Sequence, residues 1–127
     1  MDALGVGIDH CEVSRMADAL ARWGDRFRDR IFTPGEIVYC EKCHAPNLHF
    51  AARFAAKEAL GKAMGTGVWR RGVNWNEIEV VHAATGQPQI RLHGRTRTTA
   101  DQLGFTSFLL AITHTEELGS AVVIAGR

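Results

Sequence analysis

No apolar run in this chain approaches the roughly 20 residues needed to cross a bilayer, which excludes a membrane-spanning reading. The opening residues, Met1-Asp2-Ala3-Leu4-Gly5, lack the basic segment and apolar core of a secretory signal. Cysteine is scarce and odd in number. Cys11, Cys40 and Cys43 make a poor disulfide framework, so a reducing cytoplasm is the expected setting. Net charge is nearly absent as well: a formal +1 over 127 residues gives no case for wholesale nucleic-acid or membrane binding. The signatures G-x-x-x-x-G-K-[ST], G-x-G-x-x-G and G-x-S-x-G are missing, which argues against the common nucleotide-binding and hydrolase classes. What remains is an ordinary globular composition, 46% apolar and 23% charged, long enough for one compact domain.

The pattern along the chain predicts an α+β domain with a mainly antiparallel sheet packed on a long central helix. Leu4, Val6 and Ile8 alternate with Gly5 and Gly7, the period of a strand with one buried face that ends at Asp9. The glycines allow another backbone or a ligand to come close. Ser14 is positioned to cap a helix bearing Met16, Ala17, Leu20 and Ala21. Its polar side belongs to an arginine-rich stretch, Arg15 to Arg30, interleaved with Asp18, Asp25 and Asp29. Thr33-Pro34-Gly35-Glu36 reads as a capping box opening a short helix to about Glu41. Asn47 then caps a helix from about Leu48 to Met64, closed by Gly65-Thr66-Gly67. Strands over 77–81 and 89–92 flank a turn at Thr85-Gly86-Gln87-Pro88, and a short helix covers 96–103. The apolar runs at 108–112 and 121–125 are expected as two central strands.

The central helix poses a physical problem. Ala51, Ala52, Ala55, Ala56, Ala59 and Ala63 make it small and apolar nearly all round, the mark of burial, yet it carries Arg53, Lys57, Glu58 and Lys62. Lys57 interrupts an apolar stripe of Phe50, Phe54, Gly61 and Met64. Buried charge needs a partner, which here is a metal, phosphates or a counter-charge. If Asp9 and Glu58 meet, a hard divalent cation such as Mg2+ relieves their repulsion. The plainer alternative is a turn role for Asp9 and an i,i+4 salt bridge from Glu58 to Lys62. Arg53, Lys57 and Lys62 either hold phosphates or form a solvated basic face. Cys40-Glu41-Lys42-Cys43-His44 matches the haem-attachment spacing C-x-x-C-H. Haem attachment goes with export, and zinc would need further ligands, with only His49 near, so these cysteines read as incidental. His114 either contacts a ligand or satisfies a chain turn.

Taken together, several motifs resemble one known family. Gly5-Val6-Gly7-Ile8-Asp9 with Glu12, then Arg53-Phe54-Ala55-Ala56-Lys57-Glu58-Ala59 with Lys62-Ala63 and Gly65-Thr66-Gly67, are similar to the holo-acyl-carrier-protein synthase family. Gly86-Gln87-Pro88 and Ile112-Thr113-His114-Thr115 follow in that family's order, so the resemblance spans 1–127 as a single phosphopantetheinyl transferase domain. It implies transfer of the 4′-phosphopantetheine of coenzyme A to a serine of an acyl carrier protein, with Mg2+, in a cytoplasmic homotrimer whose sites lie between subunits. By the same resemblance, Asp9 and Glu58 hold the metal, and Glu58 and Lys62 are catalytic, with Lys62 facing the pyrophosphate. Arg53, Gly65, His114 and Pro88 contact coenzyme A, Pro88 on the adenine side, while Arg15 and Arg22 grip the acidic carrier. Service in fatty acid synthesis is expected. Gly61 stands where relatives often carry serine, and Val38 where some carry a carboxylate. The basic pair expected for the 3′-phosphate falls to Lys42, His44 or His49.

Overall fold

Strand β1 (Ala3–Glu12) runs without a break into helix α1 (Val13–Ile31). The computed structural model describes residues 1–127. Ser14 does not cap α1: Glu12 occupies the cap position with no side-chain bond. The reason is local satisfaction from elsewhere, since the Val13 N–H donates to the Glu117 carbonyl at 2.9 Å. Within α1, Gly24 (φ 65°, ψ −152°) breaks the helical path and splits it into two arms.

Helix α2 (Pro34–Lys42) opens on the expected capping box, with both Thr33 and Glu36 bonds present. Helix α3 (Pro46–Met64) starts one residue before Asn47, because Pro46 already holds the φ a first helical residue needs. Gly65, left-handed at φ 76°, ends it. A short 3-10 turn at Trp75–Glu77 leads into the hairpin of β2 (Ile78–His82) and β3 (Pro88–Leu92). Helix α4 (Gly94–Gln102) precedes β4 (Ser107–His114) and β5 (Leu118–Gly126). All pairings are antiparallel, in a three-stranded sheet ordered β1-β5-β4 and the separate β2-β3 hairpin. Thus β5 is central, as expected, but β4 lies at an edge. The α+β expectation holds, and no helix is long and apolar enough to cross a membrane.

The buried face of β1 is the glycine face. Leu4, Val6 and Ile8 are exposed, and Gly7 is the buried residue. The cause is α3, which crosses the strand so closely that a Cβ at Gly5 would collide with the Ala63 carbonyl oxygen, and one at Gly7 with that of Ala59. Glycine is required there for space rather than for backbone freedom. Gly119 of β5 repeats the device, a Cβ there falling 2.6 Å from the Ala52 nitrogen. One core cluster forms where Ala55, Ala56, Ala59, Leu60 and Ala63 of α3 meet Ala121, Val123 and Ala125 of β5. Each methyl so buried contributes about 0.8 kcal/mol. The opposite face of the sheet, bearing Leu4, Val6, Ile8 and Leu109, is open.

Candidate active site

The β1–α3 contact brings Asp9 and Glu58 to neighbouring positions, since Asp9 lies just beyond Gly7 and Glu58 just before Ala59. Lys62, one turn along α3, donates to Asp9 Oδ1 at 2.9 Å and to the Ile8 carbonyl at 3.0 Å. The i,i+4 bridge from Glu58 to Lys62 does not form; Lys62 pairs with Asp9 instead. Burial pushes the Glu58 carboxyl up, and Asp9 adds to the rise, while the Trp75 indole and Lys62 oppose it. The Trp75 Nε1 itself is buried without an acceptor at full hydrogen-bonding distance. These are hard oxygen donors of the kind a magnesium-type ion takes one or two at a time, completing its shell with water and substrate phosphate. No group of three or more His, Cys, Asp or Glu side chains gathers into a cage.

Lys57 lies close by in sequence and does something different. Its ammonium is fully enclosed, donating to Glu36 Oε1 at 2.6 Å, the Ile31 carbonyl at 2.7 Å and the Trp75 carbonyl at 2.9 Å. Those bonds use all three donors. Glu36 also accepts from the Thr33 and Val80 amides, each at 2.9 Å. Burial holds the Lys57 pKa down while Glu36 works against that. The buried charge of α3 has found a counter-charge, so the phosphate-holding reading does not extend to Lys57.

A second cluster surrounds Arg53. Its guanidinium is buried, stacks 4.3 Å over the Tyr39 ring and has an Nε with no partner. Tyr39 stacks on His82 (4.7 Å, 25°) and meets His49 edge-on at 5.9 Å, and His49 packs on His114 at 5.0 Å. Burial, followed by Arg53, lowers the His49 and His82 pKa values, favouring neutral rings. Pro88 pairs with His82 across the hairpin, so it belongs to this cluster. Of the three basic candidates before or at the start of α3, His49 is turned into it, while Lys42 and His44 are exposed. Tyr39 and His82 escape the sequence reading; their only signal is a ring on a helix and a ring beside Pro88, which nothing local connects.

Arg15 and Arg22 are exposed on α1, and the ion pairs nearby run through Arg28 to Asp25, Asp29 and Glu41. Arg22 leans on the exposed Trp23 ring at 5.1 Å. Beside Arg15 a groove of about 340 Å3 is walled by Met16, Phe27, Phe54 and Leu118. Gly65 serves as the cap of α3, where the amides of Thr66 and Gly67 both donate to the Gly61 carbonyl. A Cβ at Gly61 would fall 2.7 Å from Val68 Cγ2 and from the Gly67 carbonyl carbon, so a serine there would displace this loop. Cys40 sits in the core with its thiol pushed up to about 12 by burial, a poor metal ligand.

Comparison with known proteins identifies the family. The family model "4′-phosphopantetheinyl transferase superfamily" matches residues 5–113. A holo-[acyl-carrier-protein] synthase from Solibacter usitatus is 49% identical over 95% of this chain and 96% of its own length. The crystal structure of the Neisseria meningitidis holo-[acyl-carrier-protein] synthase superposes with a TM-score of 0.90 at 30% identity, covering 98% of this chain and 99% of that one. The Helicobacter pylori holo-[acyl-carrier-protein] synthase, solved in complex with coenzyme A, gives 0.83 at 26% identity over 95% and 99%. The chain belongs to the 4′-phosphopantetheinyl transferase superfamily, within its holo-[acyl-carrier-protein] synthase family.

Proposed function

We propose that this chain transfers the 4′-phosphopantetheine arm of coenzyme A to a serine of an apo acyl carrier protein, leaving adenosine 3′,5′-bisphosphate. The observation that carries the reading is the Asp9–Glu58–Lys62 group, built on a backbone-to-backbone contact in a chain of this family. Asp9 and Glu58 would hold Mg2+, whose chemistry when bound is to offset charge on the pyrophosphate oxygens. Lys62 adds a compact positive charge where the departing phosphate gains its negative charge. The serine oxygen forms its bond to the β-phosphorus as the bond to the bridging oxygen of the nucleotide breaks. The serine also loses its proton, and Glu58 is the carboxylate assigned to take it.

The Arg53 cluster is assigned to the nucleotide. Neutral His49, His82 and Tyr39 rings suit stacking, Arg53 supplies charge, and His114 and Pro88 complete the wall. Five residues separate Arg53 from Glu58, placing them about 140° apart around α3. By the family resemblance the sites lie between subunits, so one coenzyme A is assigned to the metal group of one subunit and the Arg53 cluster of a neighbour. A homotrimer closed through the open face of Leu4, Val6, Ile8 and Leu109 fits that need. Arg15, beside an apolar groove, and Arg22, both unpaired with carboxylates, grip the acidic carrier, and the Gly65 turn lines the coenzyme path. All of 1–127 acts as one transferase domain, in the cytoplasm and in fatty acid synthesis.

The test is mass spectrometry of an apo acyl carrier protein incubated with the chain, coenzyme A and Mg2+. A gain of one phosphopantetheine, lost with EDTA, is the expected result. No gain on several carriers, with the protein shown folded, would overturn the reading.

A further inference from the structure

A hollow of about 530 Å3 opens between the end of α3, the loop that follows it and helix α4. That volume is in the range of small-molecule sites. Its polar wall is Arg71 from the loop and Arg95, Thr98, Thr99 and Gln102 from α4, with Met64 on its apolar side and no carboxylate among its lining residues. Lys62 and Met64 point about 160° apart around α3, so the hollow opens away from the Lys62–Asp9 pair.

The fold brings the two arginines together. A Cβ at Gly72 would lie 3.1 Å from Arg95 Nε and 2.6 Å from Thr99 Oγ1, so the Arg95 side chain is laid across the backbone beside Arg71. The Thr99 hydroxyl ties that backbone down, donating to the Gly72 carbonyl at 3.2 Å. Arg71 holds a left-handed φ of 55° and Trp69 one of 67°, a conformation that side chains of this bulk keep only where their surroundings enforce it. The loop is closed by the Trp69 N–H donating to the Val73 carbonyl at 2.7 Å and the Val73 N–H donating to the Arg70 carbonyl at 3.0 Å.

Two like charges held this way call for a counter-charge, and the fold supplies none. Neither Arg71 nor Arg95 takes part in an ion pair. Asp101 of α4 pairs with Arg97. Glu77, at the start of α4, already accepts from the Asn74 side chain, the Thr96 hydroxyl and the Arg95 and Thr96 amides. Those bonds occupy the first amides of the helix, so a ligand here is held by side chains. A carboxylate would balance one arginine. A phosphomonoester carries about −2 at neutral pH on three acceptor oxygens, and planar guanidinium forks meet it bidentately.

We propose that Arg71 and Arg95 form a binding site for a phosphate group, borne by a small phosphomonoester or free as inorganic phosphate, with Thr98, Thr99 and Gln102 completing the shell. Gly65, assigned above to the coenzyme path, borders the hollow, so coenzyme A kinetics serve as the control.

Calorimetric titration with inorganic phosphate and with glycerol 3-phosphate, at fixed ionic strength, tests the site without an assay of transfer. One equivalent should bind. Arg71→Gln and Arg95→Gln should each weaken it at least about tenfold, the usual effect of losing a charge-assisted bond. Both side chains are exposed, so Tm should hold. Tighter binding of glycerol 3-phosphate would identify an ester as the source, and tighter binding of inorganic phosphate the free ion; either supports the site. Acetate binding as tightly as phosphate would overturn the assignment to phosphate. A parent protein that binds neither probe at about 20 mM, or binding undiminished in both variants, overturns the site itself. The coenzyme A KM should stay unchanged in both variants; a tenfold rise would place the arginines on the coenzyme and remove the additional site. In 15N-labelled parent protein, phosphate should shift the Thr99 and Gln102 amides. Shifts confined to the surroundings of Lys62 or Arg53 would overturn the proposal.

Discussion

Helix α3 carries two lysine–carboxylate pairs one and a half turns apart, and their surroundings differ in nearly every respect. Lys57–Glu36 closes at 2.6 Å with both side chains fully excluded from water. Lys62–Asp9 closes at 2.9 Å with the lysine side chain 56% exposed. In the first pair every donor of the ammonium has a partner, and the carboxylate also takes two amides. In the second, Lys62 spends bonds on Asp9 and one carbonyl and retains a face towards solvent. The buried pair has no capacity left for a substrate, so it works as a fastener joining α2, α3 and the end of α1. The exposed pair is loosely committed, which under the proposed function leaves Lys62 free to meet a phosphate.

The comparison breaks most readily at Lys57. Lys57→Met should cost about 3–5 kcal/mol in urea unfolding, because Glu36 is left charged and buried. Adding Glu36→Gln should return more than half of the loss. A loss under about 1 kcal/mol for the single variant would mean that the two pairs are not different in kind. Lys62→Ala should do the reverse: kcat/KM falls about 100-fold while unfolding shifts by no more than about 0.5 kcal/mol. A stability loss matching that of Lys57→Met would erase the distinction.

Smaller effects sharpen the picture on the solvent side. Arg15→Glu should raise the carrier-protein KM about tenfold at low salt, with kcat unchanged and the effect shrinking as salt is added. Kinetics identical to the parent at every ionic strength would remove Arg15 from the carrier surface. The smallest effect concerns Glu58, whose carboxyl burial raises above the ordinary 4.5. The folded state therefore keeps a proton that the unfolded chain has lost, and ionising Glu58 costs stability as pH climbs through its folded value. Glu58→Gln should thus be inactive but more stable than the parent at neutral pH, the gain vanishing below 4.5. A gain that grows on acidification has the wrong sign and would sink this account.

How much of this was legible in the sequence depended on distance along the chain. The Thr33–Glu36 capping box, the Pro88 hairpin and the glycine stop after Met64 involve neighbours a few residues apart, and they stand as expected. The tension of charge on an alanine-rich helix was visible too, but its resolution was not. Glu36 looks in sequence like a capping residue and nothing else, while in the fold it also neutralises Lys57, 21 residues away. Which face of β1 is covered was left open for a related reason. Alternation shows that a strand has two faces, but α3 decides which is covered, and it selects the glycines. The ring cluster of Tyr39, His49, His82 and His114 draws on four separate segments, so no local pattern could announce it.

The meeting of Gly5 and Gly7 with the carbonyls of Ala63 and Ala59 has one more effect. Between the strand that bears Asp9 and the helix that bears Glu58 there is no side chain to lengthen, shorten or repack. The gap works like a machined gauge: its width is a property of two main chains in contact, which a substitution at either glycine can force wider but none can narrow. The spacing of Asp9 and Glu58 therefore has no fine adjustment: it stays as the main chains set it or opens by the width of a methyl group.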